Sequence, residues 1–140
     1  MIFSSSRVLL DTNAIMNLSK NHDMARQIIS EFELSNSQFI VTSQSRKEIQ
    51  KLQMNFDKMK NSISEPFGMK IQELEITSEI KQNAHYLRDK KLGTLHSGDD
   101  LILSAAITSK STLFTSDRDL ARSAKKFNCP VKMIQSEWYK

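Results

Sequence analysis

The chain has 140 residues, 39% of them hydrophobic and 26% charged, which suits one globular domain with its own core and excludes a fibrous, collagen-like or disordered polymer. The single cysteine, Cys129, excludes an internal disulfide framework and a cysteine-based zinc cluster; no apolar run approaches the ~20 residues of a bilayer span, and the first seven residues lack the apolar core of a signal peptide, so a cytoplasmic protein with no membrane partner is expected. A net charge of +4 leans modestly toward a polyanionic partner.

Only 3 Gly and 2 Pro are present, so few tight turns are available and a helix-rich chain is expected rather than an all-β sandwich. In chain order, residues 7–11 (RVLLD), 38–42 (QFIVT), 113–115 (LFT, with a start as early as 111) and 131–134 (VKMI) are predicted strands: short, apolar and flanked by polar residues. Residues 73–76 (ELEI) form a weaker fifth candidate. Helical patterns occupy residues 14–19, 24–34, 44–63, 78–90, 99–109 and 117–127. Strand and helix alternating in this way predict an α/β domain with a mostly parallel sheet and helices on both faces. The stretch 62–68 (SISEPFG) holds Pro66 and Gly68 together and reads as a loop inside one domain spanning residues 1–140.

In an open parallel sheet, ligands bind beyond the carboxyl ends of the strands, where the strand order reverses. Asp11 ends the first strand, Asp117 lies just past the fourth, Asp99 opens a helix, and Glu48 lies in the first turns of the helix after the second strand. Each has a competing structural explanation, because acids favour the first turn of a helix. Ser45 with Glu48, Ser97 with Asp100, and Ser116 with Asp119 have capping-box spacing, and for Asp100 and Asp119 capping is the better explanation. Asp99 and Asp117 fall at neither a cap nor a box position. Asp11 leaves a buried strand and would be desolvated unless something positive stood opposite it.

On a helical wheel starting at Glu48, Ile49, Leu52, Phe56, Met59 and Ile63 fall on one apolar stripe with Glu48 at its edge, so that carboxylate points toward the sheet. Lys47, Lys51 and Lys58 form a basic stripe beginning about 60° away, an ordinary solvated face by itself and a phosphate track beside a carboxylate cluster.

Four carboxylates on one rim repel. Two such charges ~4 Å apart cost ~4 kcal/mol at the effective dielectric of a protein surface, so the cluster must protonate or hold a cation. All-oxygen ligands select Mg²⁺ or Mn²⁺ over zinc, and a hard ion there supports hydrolysis of a phosphodiester by an activated water.

Together, LLDTNAI, SRKEIQKL, GDDLILSAAI and LFTSDRDL resemble the corresponding segments of PIN-domain nucleases in order and spacing over essentially the whole chain. The resemblance implies a three-layer Rossmann-like domain, its parallel sheet of about five strands ordered 3-2-1-4-5. It also implies a site for one or two Mg²⁺ or Mn²⁺ ions and cleavage of single-stranded RNA. Asp11, Glu48, Asp99 and Asp117 fall on the family's four acidic positions; Asn13 and Thr115 match its supporting polar positions, and Asp100 or Asp119 either assists or stands in for a neighbour. Lys47, Lys51 and Lys58 are the residues expected along the RNA path. A homodimer follows from the same resemblance, with either an antitoxin or an RNA-processing partner; the tail TSDRDLARSAKKFNCPVKMI looks more like RNA-processing members than toxins.

The competing reading from another class is a non-catalytic module of the same fold that binds RNA or protein. A haloacid-dehalogenase-type phosphatase is remote, because Asn13 replaces the second Asp of its D-x-D pair and SGDD follows no strand; a receiver domain would need a Lys at the end of the last strand, and Lys132 lies inside it. His22, His85 and His96 show no ligand spacing, the seven Met read as core fillers, and Trp138 and Tyr139 suit packing on a second subunit or on their own domain. Cys129 before Pro130 reads as structural, with no His and acid placed to make it a nucleophile.

Overall fold

A computed structural model describes residues 6–21, 23, 25–26, 37–68, 70–89 and 98–133. Five parallel strands form its sheet: β1 (Ser6–Leu10), β2 (Ser37–Thr42), β3 (Ile71–Leu74), β4 (Thr112–Thr115) and β5 (Val131–Met133), in the order β3-β2-β1-β4-β5. Six helices accompany them among the described residues: α1 (Thr12–Lys20), α2 (Ser43–Lys51), α3 (Phe56–Phe67), α4 (Ser78–Asp89), α5 (Asp99–Thr108) and α6 (Arg118–Lys126). The expected α/β architecture and strand order are both present. Of the predicted helix over 24–34, Ala25 and Arg26 are described and helical, while 24 and 27–34 lie outside the described residues, as do His96, Ser97, Ile134, Trp138 and Tyr139.

The strands carry unbroken apolar runs because both faces are covered. Val8 and Leu10 point with Phe39, Val41 and Phe114 toward α1, α2 and α3, where Ile15, Ile49, Phe56 and Ile63 complete one core. Leu9, Ile40 and Leu113 point the other way, onto Ile80 and Leu87 of α4, Ile102 and Leu103 of α5, and Leu120 of α6. Chain connections step from β1 to β2 and β3 on one side and then to β4 and β5 on the other, so the order reverses between β1 and β4. Register places Leu10 opposite Phe114, and the Asp11 N–H donates to the Phe114 carbonyl at 3.1 Å. The residues leaving β1 and β4 are thereby adjacent.

Three sequence expectations need correction. Helix 44–63 is two helices. The Gln53 N–H donates to the Gln50 carbonyl and the Met54 N–H to the Ile49 carbonyl, with Gln53 left-handed at φ 59, a Schellman-type stop that lets Met54 pack on the core beside Ile49. Asn55 then caps α3, its side chain accepting the Lys58 N–H. Leu52, expected in the core stripe, is 57% exposed, and the basic stripe is divided between α2 and α3. Second, 62–68 is not a loop up to its end: α3 runs through Pro66 to Phe67 and stops at Gly68, left-handed at φ 61. Proline so near the C-terminal end removes one ladder bond and breaks nothing downstream. Third, the weak strand lies at Ile71–Leu74, two residues earlier than 73–76.

Arg46 secures the elbow between α2 and α3. Its guanidinium binds Glu73 of β3 at 2.7 Å and Asp57 of α3 at 2.8 Å, and it stacks 4.7 Å from the Phe56 ring. The hydrogen bonds from Arg46 hold the Glu73 and Asp57 carboxyls below their ordinary range.

Candidate active site

Asp11 follows β1 and is the N-cap of α1. Its Oδ1 accepts the Ala14 N–H at 2.7 Å, and Oδ2 accepts the Thr115 hydroxyl from the end of β4. That hydroxyl oxygen in turn accepts the Asp117 N–H at 3.0 Å, so Thr115 ties two acids together across the reversal point of the sheet.

Asp117 caps α6, its Oδ1 accepting the Asp119 and Leu120 N–H groups at 2.9 and 3.2 Å. The sequence reading placed Asp117 at no cap; the structure corrects this, since helix α6 starts one residue later than expected. Asp99 is the first residue of α5. Three of the four acids thus stand at helix N-termini, where the positive end of the helix dipole offsets part of their mutual repulsion.

Glu48 comes from the side of α2 and is held at both oxygens. Thr12 donates to Oε1 at 2.6 Å and Gln44, one turn earlier on the same helix, donates to Oε2 at 2.8 Å. Ser45 shares a hydrogen bond with Thr12 at 2.9 Å, and its own N–H donates to Thr42, the cap of α2. Ser45 is buried inside this network, so its capping-box spacing with Glu48 does not correspond to a box; Thr42 is the cap of α2. Gly98, at φ +96, lies against the Glu48 carboxylate so closely that a Cβ there would overlap it.

Asp11, Glu48, Asp99 and Asp117 line one cavity of about 350 Å³, together with Thr12, Asn13, Met16, Lys51, Leu52 and Ile102. Asp11 is only 4% exposed. Burial pushes its carboxyl up to about 7, against the hydrogen bonds from Thr115 and Ala14, and the nearby charges of Asp99 and Asp117 push the same way. Among the described residues no cation enters that balance.

The remaining sequence candidates separate. Asn13 is exposed at the cavity, and Lys51 reaches it. Lys47 is exposed on α2, while Lys58 on α3 lines a different hollow with Ser19, Met54 and Met59. Asp100 is buried and turns away, forming an ion pair with Arg88 of α4; its other oxygen has no hydrogen-bond partner among the described residues. The N-cap of α5 is Gly98 rather than Ser97, so Asp100 does not stand at the box position, and it pairs with Arg88 instead. Asp119 faces Arg122 one turn on, at 3.6 Å, on the surface. Buried Cys129, its thiol pushed up to about 11 by burial, is structural as expected.

Sequence reasoning missed Thr12, Gln44, Gly98 and Arg88, and noted Ser45 only for its capping-box spacing with Glu48. Two signals were present: Gln44 lies at i−4 from Glu48, and one of only three glycines directly precedes Asp99.

The donor set is made of carboxylates alone, which suits a hard divalent ion. Among the described residues no three His, Cys, Asp or Glu side chains close around a single point; the acids line the cavity instead. The fit to Mg²⁺ or Mn²⁺ is therefore one of ligand chemistry and of the buried, uncompensated charge at Asp11.

No protein-family model and no curated protein matches the sequence. Its fold is nevertheless shared with solved structures. VapBC2 from Rickettsia felis, bound to a DNA fragment from its promoter, contains a chain similar at TM-score 0.70 and 19% identity, covering 92% of this chain and 99% of that one. A toxin–antitoxin complex from Klebsiella pneumoniae matches at TM-score 0.61 and 20% identity, with 81% and 90% covered. A PilT N-terminus domain protein from Sulfolobus solfataricus matches at TM-score 0.57 and 13% identity, with 94% and 89% covered. At these identities the likeness establishes a PIN-like α/β fold, with its five parallel strands in the order 3-2-1-4-5.

Proposed function

We propose that this protein is a divalent-metal-dependent endoribonuclease that hydrolyses phosphodiester bonds in single-stranded RNA. The observation that carries the reading is the meeting of Asp11, Glu48, Asp99 and Asp117 in one cavity, with Asp11 buried and no cation against it among the described residues. Those four carboxylates would hold the ion or ions. A bound Mg²⁺ or Mn²⁺ supplies charge neutralisation at the transferring phosphoryl oxygens and lowers the pKa of an attacking water.

The chain's own residues do the rest. Thr115 and the Ala14 N–H hold Asp11 in one orientation, and Thr12 and Gln44 hold Glu48, so neither carboxylate has to reorganise as charge develops. Glu48, half-buried and lining the cavity, would orient a water and take up its proton. Lys51 at the mouth meets the negative charge of the RNA backbone.

An antitoxin partner is part of the proposal, supported by a similar chain in a toxin–antitoxin complex from Klebsiella pneumoniae; the homodimer and the alternative RNA-processing role inferred from the sequence remain with it. The nuclease reading is tested on a panel of RNAs. Cleavage should require Mg²⁺ or Mn²⁺, stop in EDTA and disappear in Asp11→Asn. Failure of the purified protein to bind Mn²⁺, together with identical behaviour of Asp11→Asn, would leave a non-catalytic binding module.

A further inference from the structure

Leu52 is the residue whose place the sequence misjudged most. Helical periodicity put it in the core, yet it is 57% exposed and lines the acidic cavity, beside Lys51. The cause is local. The stop at Gln53 ends α2, Met54 turns inward to pack beside Ile49, and Leu52 is left on the lip. Arg46, bound to Glu73 and Asp57, ties α2 to α3 on either side of this lip.

A site built only to hold metal ions has no use for an apolar wall at its mouth. Here Leu52 is continuous with half-buried Met16 and buried Ile102 along the same cavity. Next to that wall stands Lys51, exposed and without an ion pair among the described residues. A cation and an apolar face side by side match the two halves of a nucleotide, phosphate and base. The cavity volume of about 350 Å³ lies within the range of small-ligand sites.

We propose that Lys51 and Leu52 form a nucleotide subsite, resting on the nuclease reading above: Lys51 binds a backbone phosphate and Leu52, with Met16, covers the face of one base close to the cleaved bond. In a duplex both faces of a base are stacked, so such a wall accepts only an unpaired nucleotide and selects single-stranded substrate without reading its sequence. An apolar side chain from a protein partner is the competing occupant. RNA is favoured because the neighbouring lysine suits a phosphate and the wall opens directly onto the carboxylates.

The test uses a single-stranded RNA containing one cleavage site, and versions in which an abasic nucleotide is walked through each position. Cleavage is followed for the wild type, Leu52→Gln and Lys51→Gln; binding is followed separately for Asp11→Asn with and without Leu52→Gln. One abasic position near the cut should weaken binding and raise KM roughly fivefold, with kcat nearly unchanged. Leu52→Gln should show the same loss on intact RNA and no further loss at that abasic position. Lys51→Gln should lower the salt dependence of binding by about one charge. Equal response of wild type and Leu52→Gln to every abasic position overturns the subsite. So does intact RNA handling by Leu52→Gln accompanied by loss of a co-expressed protein partner. Because binding is read in Asp11→Asn protein, absence of cleavage by the wild type would count against the nuclease reading alone.

Discussion

Thr12 donates its hydroxyl hydrogen to Oε1 of Glu48 across 2.6 Å, joining the first residue of α1 to the side of α2. With Gln44 on the other oxygen, the carboxylate is fixed at both ends. Thr12→Val keeps the side-chain shape and removes the donor. It should lower kcat about tenfold with KM and Tm little changed, whereas Thr12→Ser should retain most of the rate. Steady-state kinetics of the two variants beside their melting curves checks this, and equal losses in both would deny the hydroxyl its role.

Gly98 occupies the space next to the same carboxylate. Alanine there would meet Glu48 and would also have to adopt φ +96, a region that side chains rarely enter. Gly98→Ala should destabilise the protein by ~1–3 kcal/mol and displace either Glu48 or the start of α5, which carries Asp99. Denaturant titration measures the first effect and metal affinity the second. A variant as stable as the wild type, with unchanged affinity, would contradict the contact.

The Asp11 carboxyl rises from 3.8 to about 7, chiefly through burial. A carboxyl whose folded pKa exceeds its unfolded value holds its proton more tightly in the native state, so the stability it confers is full below pH ~4 and is lost as pH rises through about 7. In EDTA, the Tm of the wild type should fall between pH 5 and pH 8 by more than that of Asp11→Asn. Saturating Mg²⁺ should restore the wild type at pH 8 and do little for the variant. Melting curves at several pH values, with and without metal, decide the matter; the same pH slope in both proteins would be the contrary result.

Asp99 and Asp100 are neighbours in sequence with opposite assignments. Asp99 lines the cavity, whereas Asp100 is buried against Arg88. Asp99→Asn should abolish cleavage at little cost in stability. Arg88→Ala should leave the buried Asp100 carboxylate without its ion pair and cost ~1–3 kcal/mol, reduced by the exposure of Arg88, while cleavage by the folded fraction persists. Paired activity and unfolding measurements separate the two; loss of activity in folded Arg88→Ala would merge the roles.

Much of the fold was legible because its signals are local. Apolar runs such as VLL and FIVT mark strands covered on both faces, and the acids that follow them, Asp11 at once and Glu48 six residues on, lie at the rim for topological reasons. The error over residues 44–63 has an equally local origin. A continuous wheel can be drawn through a Schellman stop, and the segment QKLQM carries no glycine to announce one; here Gln53 takes the left-handed position. Once the helix breaks, the angular relation between Lys51 and Lys58 is void, and Leu52 changes from core to lip.

By itself the sequence determined the alternation of strands and helices, the parallel sheet and the four acids that meet at its edge, since these depend on hydrophobic period and on chain order. Tertiary structure decided how those acids are held and which neighbours matter. Thr12 and Glu48 are 36 residues apart, and Thr115 and Asp11 are 104 apart. Contacts at such separations exist only because β1 lies between β2 and β4, which brings the starts of α1, α2 and α6 to one place. Periodicity records which face of an element is apolar, and it carries no information about which hydroxyl on another element a carboxylate will meet.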